Sequence, residues 1–194
     1  MKLKGGKIME ANKLELKVKR GELAKEFPML HIEKCGDVGL DVPVALPYVD
    51  GWQDAVEDYM NYLNGAEPDE KHINLLKHGC ITINPGERYL LPTDIRLEIP
   101  DGYWIAVEAR SSTSKKLIIV PKGVIDTGYR GEIFAQAINI GKEPVQIYHG
   151  DRIVQLIMRK NYTKDLIITE VDELSPSERG ETGFGSSGES AIVK

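Results

Sequence analysis

The chain has 194 residues, a formal net charge of −5 and 41% hydrophobic residues. This length suits one domain with a sizeable core, and the acidic balance argues against a broad basic surface for nucleic acid. No apolar run approaches the ~20 residues that a membrane span needs, and the N-terminus lacks the apolar region of a secretory signal. Two cysteines and four histidines at no metal-ligand spacing argue against zinc, so we expect a cytoplasmic protein with reduced thiols.

Short runs of alternating apolar and polar residues predict β-strands along most of the chain. Turn-forming residues separate most of these runs, as at Pro85-Gly86 and Gly150-Asp151. The predicted strands are Leu14–Val18, Ile81–Ile83, Tyr89–Leu91, Ile95–Ile99, Trp104–Glu108, Leu117–Val120, Ile133–Ile140, Val145–Ile147, Ile153–Ile157 and Leu166–Glu170. Many short strands at this spacing predict an all-β sandwich or barrel.

Residues 50–79 interrupt this pattern with a helical period. The apolar residues that share one helical face are Trp52, Val56, Tyr59, Met60 and Leu63. Asn64-Gly65 can end this helix, and Pro68 can open a second one that stops at Gly79. We expect a helical hairpin inserted into the β-fold, which either packs on the barrel or offers a docking surface to a partner protein.

The decapeptide Gly-Val-Ile-Asp-Thr-Gly-Tyr-Arg-Gly-Glu at residues 123–132 is the most informative stretch. An apolar run ends in Asp126, a turn carries Tyr129, and the apolar run Ile133–Ile140 follows. This pattern predicts a β-hairpin with a carboxylate and an aromatic ring at its bend. Such a bend suits chemistry on a flat ligand.

The decapeptide closely resembles the third motif of the trimeric dUTP pyrophosphatases (dUTPases), and four other stretches resemble the remaining motifs of that family in the same order. These stretches are Val38-Gly39-Leu40-Asp41-Val42, Ala109-Arg110-Ser111-Ser112, residues 150–157 and residues 179–188. The resemblance covers roughly Leu14 to Gly188, apart from the insertion. It implies a dUTPase-like β-barrel of the jelly-roll (β-clip) type over residues 1–174. A flexible, Gly/Ser-rich arm at residues 175–194 would then close the active site.

The resemblance assigns roles to the first, second and fourth motifs. Asp41 of the first motif would orient a hydrated Mg²⁺ through water. Arg110, Ser111 and Ser112 of the second motif would bind phosphate oxygens, which suits a guanidinium fork beside two hydroxyls. Gln155, the lone polar residue in the apolar run of the fourth motif, would also bind phosphate. Ala109 stands where the family usually has Pro or Gly.

The third motif would carry the catalytic base. The resemblance implies that Asp126 activates the attacking water, and that Tyr129 lies against the deoxyribose and leaves no room for a 2′-hydroxyl. Main-chain groups of the same stretch, which includes Gly123 and Ile125, would pair with uracil.

The fifth motif would grip the triphosphate from the C-terminal arm. Its glycines allow the backbone to bend around a polyphosphate and present N–H donors. The residues implied as substrate-binding are Arg179 for the γ-phosphate, Phe184 for the uracil face, and Gly185, Ser186 and Ser187 for the terminal phosphates.

The implied activity is Mg²⁺-dependent hydrolysis of dUTP to dUMP and pyrophosphate by a homotrimer whose sites combine all three chains. A first alternative is a dCTP deaminase of the same fold. That family places a Glu about ten residues after the third-motif Asp, whereas this chain has Gln136, which cannot transfer protons. A second alternative is a regulatory binding protein, switched by nucleotide, that uses the insertion at residues 50–79.

Overall fold

The computed structural model describes residues 14–46 and 78–180, and these fall into two compact units divided between Tyr162 and Thr163. The described part of the first unit contains eleven strands. They are β1 (Lys17–Arg20), β2 (Gly39–Pro43), β3 (Cys80–Ile83), β4 (Arg88–Pro92), β5 (Ile95–Glu98), β6 (Tyr103–Ala109), β7 (Ile118–Ile119), β8 (Gly123–Ile125), β9 (Phe134–Asn139), β10 (Val145–Tyr148) and β11 (Arg152–Lys160). A short helix, α1 (Glu22–Lys25), follows β1, and a 3-10 helix at Thr113–Lys116 follows β6. The described part of the second unit contains a 3-10 helix at Thr163–Asp165.

The strands pair antiparallel in small sheets. A four-stranded sheet has the order β2-β11-β6-β8, and a three-stranded sheet has the order β4-β9-β7. The remaining pairs are β1 with β5 and β3 with β10. Alternate residues of the strands point inward to one apolar core, with Ile81, Leu91 and Ile147 fully buried. Each such aliphatic side chain contributes about 1.5–3 kcal/mol on burial.

The predicted all-β class is confirmed, and most predicted strands are present with shifted ends. The first strand begins at Lys17 rather than Leu14. The first motif forms β2, a strand that its Gly-x-Asp sequence did not predict. The prediction of a strand at Leu166–Glu170 is wrong, because this segment is coil, with Ile167 and Ile168 87% and 88% exposed. Its apolar run finds no partner strand among the described residues.

The hairpin predicted around Asp126 is also wrong. β8 pairs with β6, whereas β9 pairs with β4 and β7, so the chain crosses from one sheet to the other between them. The two ends of the connecting segment are fixed to different elements. The hydroxyl of Thr127 donates to the carbonyl of Tyr103, and the N–H of Ile133 donates to the carbonyl of Ile95 at 2.9 Å.

The predicted helical insertion at residues 50–79 lies outside the described residues, apart from its last two positions. Within residues 14–46 and 78–180, none of the helices has the length and apolar character required to cross a membrane.

Candidate active site

A polar cleft of about 600 Å³ opens beside the β2 edge of the four-stranded sheet. Four of the predicted site residues, from three separate motifs, line it: Asp41, Arg110, Ser111 and Gln155. Asp41 on β2 lies directly opposite Gln155 on β11, and Gln155 lies opposite Glu108 on β6. Arg110 follows the end of β6. Three strands that are distant in sequence therefore bring the first, second and fourth motifs together.

The Asp41 carboxylate is the electrostatic centre of this cleft. Arg110 Nε lies 2.7 Å from Asp41 Oδ1, and Arg152 Nη1 lies 3.4 Å from Asp41 Oδ2. The Asp41 side chain is 17% exposed, so this ion pair is screened less by water than a surface pair. Arg110 Nη1 also donates to the carbonyl of Arg152 at 3.0 Å. Because a guanidinium carries five N–H donors, Arg110 keeps donors for an anion in the cleft.

Gln155 is held in a defined position at the floor of the cleft. Its Nε2 donates to the carbonyl of Ala109 at 3.1 Å. Its Oε1 occupies the space beside Gly39, where a Cβ would overlap this oxygen. A side chain at residue 39 would therefore have to displace the amide of Gln155.

The second motif makes a compact turn after β6. The N–H of Thr113 donates to the carbonyl of Arg110 at 3.0 Å, and the buried hydroxyl of Thr113 donates to the carbonyl of Ile153 at 2.7 Å. These bonds fix the turn although Ala109 replaces the usual Pro or Gly. Ser111 and Ser112 are both exposed, and Ser111 lines the cleft.

Arg152 is a cleft residue that the sequence analysis missed. Strict alternation along β11 would place residues 152 and 155 on opposite faces of the strand. However, the pairing of β11 with β2 shifts register between Arg152 and Val154, and this bulge turns Arg152 toward Asp41. An arginine directly after the turn of the fourth motif, in a strand that pairs with the first motif, is the signal that could have identified it.

The segment between α1 and β2 also lines the cleft and was not predicted to do so. Its Glu33 Oε1 lies 3.1 Å from Arg152 Nη1. The Met29 carbonyl and the Glu33 carboxylate raise the pKa of His31, whose Nε2 lies 3.5 Å from Glu33 Oε1. Lys34 of the same segment also lines the cleft, so the segment contributes charges of both signs.

The third motif lies at the other end of the sheet. Gly123 and Ile125 on β8 lie opposite Val107 and Ile105 on β6, and Asp126 is the next residue. At about 3.3 Å per residue and 4.8 Å per strand, these registers put Asp126 roughly 15–20 Å from Gln155 within one chain. Asp126 is exposed, and none of the described residues donates a hydrogen bond to its carboxylate.

The Tyr129 ring is presented to solvent by a tight turn. The N–H of Tyr129 donates to the carbonyl of Asp126 at 3.0 Å, and its hydroxyl donates to the carbonyl of Glu132 at 2.9 Å. The Arg130 guanidinium folds back and donates to the carbonyls of Thr127 and Tyr129. The ring remains 43% exposed, so the turn holds it by its edge and leaves a face available.

Arg179 belongs to the second unit, where the N–H of Gly180 donates to the carbonyl of Ser177 at 3.1 Å. Gly180 has a φ of +52°, which suits glycine at the end of this turn. The predicted residues Phe184, Gly185, Ser186 and Ser187 lie outside the described residues.

A magnesium ion could be held here chiefly through its own water shell. The described residues contain no group of three or more His, Cys, Asp or Glu side chains that could enclose a metal. Asp41 is already ion-paired with two guanidiniums, so its carboxylate fits water-mediated contact better than direct coordination. A site with few protein carboxylates is typical of Mg²⁺ that also binds substrate phosphates.

Comparison with known proteins identifies the family. The dUTPase family model matches residues 74–188. A deoxyuridine 5′-triphosphate nucleotidohydrolase from Caldanaerobacter subterraneus subsp. tengcongensis is 34% identical over 176 residues, which cover 89% of this chain and 97% of that protein. The same enzyme from Beijerinckia indica is 45% identical over 117 residues, which cover 58% of this chain and 72% of that protein.

A solved structure agrees with these sequence matches. The dUTPase of Staphylococcus bacteriophage 80alpha with dUPNHPP superposes with a TM-score of 0.64 at 26% identity, covering 92% of this chain and 99% of that chain. The five ordered motifs, the β-fold and these relatives agree with one another. The chain belongs to the dUTPase family.

Proposed function

We propose that this chain hydrolyses dUTP to dUMP and pyrophosphate, with Asp126 activating the attacking water and the Asp41 cleft binding the phosphates. Membership of the dUTPase family supports the reaction itself. The observation that carries the assignment of the phosphate site is the 2.7 Å contact between Arg110 and Asp41, beside Gln155 in one polar cleft. This cleft combines residues from three of the five motifs.

The residues suit their proposed roles in phosphoryl transfer. Arg110 and Arg152 supply N–H donors and positive charge, and Gln155 supplies an amide dipole, so together they stabilise charge that moves onto the leaving pyrophosphate. Asp126 is exposed, and its carboxylate accepts no hydrogen bond from the described residues. It is therefore available to orient a water molecule and accept its proton.

The dUTPase family generally uses Mg²⁺, and we propose that this chain does so too. The ion would neutralise charge on the phosphate oxygens when bound with the substrate. Asp41 would hold its water shell in place while Arg110 and Arg152 keep the carboxylate oriented.

We propose that the protein is a homotrimer in which Asp126 and Tyr129 of one subunit face the cleft of another. Two observations support this arrangement. The registers of the four-stranded sheet separate Asp126 from the cleft of its own chain by roughly 15–20 Å. In addition, the outer face of the three-stranded sheet exposes the apolar side chains of Leu90, Ile119 and Phe134, a surface typical of a protein interface.

We further propose that residues 175–194 form an arm that closes over bound nucleotide. The fifth motif places one arginine, one aromatic ring and several glycines in this stretch. In this proposal Arg179 holds the γ-phosphate, Phe184 covers the uracil, and Gly185, Ser186 and Ser187 bind the terminal phosphates. Residues 1–174 then form the barrel domain with its insertion.

A pyrophosphate-release assay with Mg²⁺ and dUTP, dCTP, dTTP or UTP tests the proposed function. We expect release from dUTP and a kcat/KM at least tenfold lower for each other nucleotide. Cytosine leaves polar groups of a uracil-pairing site unpaired, thymine carries an additional methyl group, and the Tyr129 ring leaves no room for the 2′-hydroxyl of UTP. Ammonia release from dCTP would instead indicate a deaminase, and no turnover of any nucleotide would refute the proposal.

A regulatory function could accompany hydrolysis. The 80alpha dUTPase, which aligns with 92% of this chain, controls transfer of virulence genes by a G protein-like mechanism. The insertion at residues 50–79 is the segment of this chain that we propose for a comparable protein contact. A variant that lacks residues 50–79 should keep dUTP hydrolysis and lose binding of the partner protein.

A further inference from the structure

The turn of the third motif ends in Glu132, whose carboxylate binds backbone N–H groups between β4 and β5. Glu132 Oε1 accepts the backbone N–H of Thr93 at 3.2 Å and that of Asp94 at 2.9 Å. Arg96 Nη2 lies 3.7 Å from the other carboxylate oxygen, and the Glu132 side chain is 19% exposed. Glu132 thus joins the turn to the corner between β4 and β5.

The same corner also holds the residue after Glu132. The hydroxyl of Thr93 donates to the carbonyl of Ile133 at 2.7 Å, and the N–H of Ile133 donates to the carbonyl of Ile95 at 2.9 Å. Thr93 and Ile133 are both buried. Ile133 is therefore held at the corner by hydrogen bonds from both of its backbone polar groups. The carboxylate of Glu132 holds the preceding residue at the same corner.

The corner is itself held in an unusual conformation. Asp94 has a φ of +52°, in the left-handed region that non-glycine residues rarely adopt. Its Oδ2 accepts the N–H of Leu23 at 3.1 Å at the start of α1. The Glu132 carboxylate, which accepts the Asp94 N–H, therefore binds a backbone that has little freedom to move.

The Tyr129 ring rests on this fixed peptide. Its hydroxyl donates to the carbonyl of Glu132 at 2.9 Å. The ring edge also lies over Gly131, where a Cβ would overlap the hydroxyl and the adjoining ring carbon. The tilt of the ring thus depends on the position of the Glu132 carbonyl and on the missing side chain at residue 131.

We propose that Glu132 is a positioning residue for sugar selection, which acts through Tyr129. By fixing the carbonyl that receives the Tyr129 hydroxyl, it holds the ring where a deoxyribose fits and a ribose does not. This inference rests on the proposed function, in which the ring packs against the sugar. Displacement of the ring by about 1 Å is enough to matter, because rates depend steeply on such distances.

The test measures kcat/KM for dUTP and UTP with Glu132→Ala, Glu132→Gln and Tyr129→Phe, and with Glu132→Ala in the Tyr129→Phe background. We expect Glu132→Ala and Tyr129→Phe each to raise the UTP/dUTP ratio about tenfold or more. The double variant should add little to the larger single effect, because both changes remove the same linkage between Glu132 and Tyr129.

Glu132→Gln should stay close to wild type, since its amide oxygen can accept the same two N–H bonds. Glu98→Ala, which removes an exposed carboxylate from β5, is the matched control and should leave the ratio unchanged.

Several outcomes would overturn the inference. Equal losses of kcat/KM for both nucleotides in Glu132→Ala would show a purely structural role. Independent effects in the double variant would show that Glu132 does not act through the ring. If Glu132→Ala does not fold, Tyr129→Phe decides alone, since it alters a half-exposed side chain, and an unchanged ratio overturns the proposal. Wild-type protein that fails to hydrolyse dUTP would refute the proposed function and this inference together, whereas an active wild type with unchanged ratios refutes the inference only.

Discussion

Asp126→Asn is expected to bind dUTP within about threefold of wild-type affinity and to lose turnover by about 10²- to 10⁴-fold. The amide keeps the size and shape of the carboxylate, but it cannot accept the proton of the attacking water. Asp126 is exposed in the free chain and accepts no bond from the described residues, so the substitution removes little structural support. Titration calorimetry with a non-hydrolysable dUTP analogue and pyrophosphate release with dUTP measure the two quantities separately.

Glu143→Gln is the matched control, because it makes the same chemical change at an exposed acid in the loop between β9 and β10. It should behave as wild type in both measurements. Turnover of Asp126→Asn within tenfold of wild type would exclude Asp126 as the base. Loss of binding together with turnover would instead give this carboxylate a role in holding the substrate.

Arg110→Ala is expected to lower kcat/KM for dUTP by about 10²- to 10³-fold, as the loss of one donor to a charged transition state commonly does. The variant removes a phosphate donor and also the 2.7 Å partner of the Asp41 carboxylate. Arg110→Lys should recover only part of the loss, because an ammonium cannot make the two contacts to Asp41 and to the Arg152 carbonyl and also bind phosphate.

Arg159→Ala is the control for this change. Arg159 lies at the far end of β11, 3.7 Å from Glu108, and its side chain is half exposed. We expect near wild-type kinetics from this variant. A kcat/KM for Arg110→Ala within fivefold of wild type would remove Arg110 from the phosphate site.

The local features of the fold were predictable from sequence, but the pairing of the strands was not. Runs such as Ile81–Ile83 and Val145–Ile147 alternate between core and solvent, and this period marks a strand wherever it lies. The apolar run at Leu166–Glu170 also predicted a strand but forms none, because pairing needs a partner that local sequence does not reveal. The apolar residues of β8 and β9 likewise predicted a hairpin, although each strand pairs elsewhere.

The residues of the candidate site were likewise predictable only in part. The motif resemblance named Asp41, Arg110 and Gln155, and the structure brings these three into one cleft. It could not name Arg152, because the bulge in β11 reverses the side on which that arginine lies. It also gave no sign that Glu33 faces the cleft, since the segment between α1 and β2 has no regular period and reaches the site through tertiary contacts.

The central claim is that one active site combines the cleft of one subunit with Asp126 of another. Co-expression of Asp126→Asn and Arg110→Ala chains, followed by isolation of the mixed oligomers, tests it most directly. In every cyclic trimer that contains both chains, one of the three sites, or about one third, pairs an intact Asp126 with an intact Arg110. We predict recovery of pyrophosphate release to about that fraction of wild type, from two variants that are each nearly inactive. Mixed oligomers that remain as inactive as either parent would contradict the claim, because sites contained within one chain cannot complement each other.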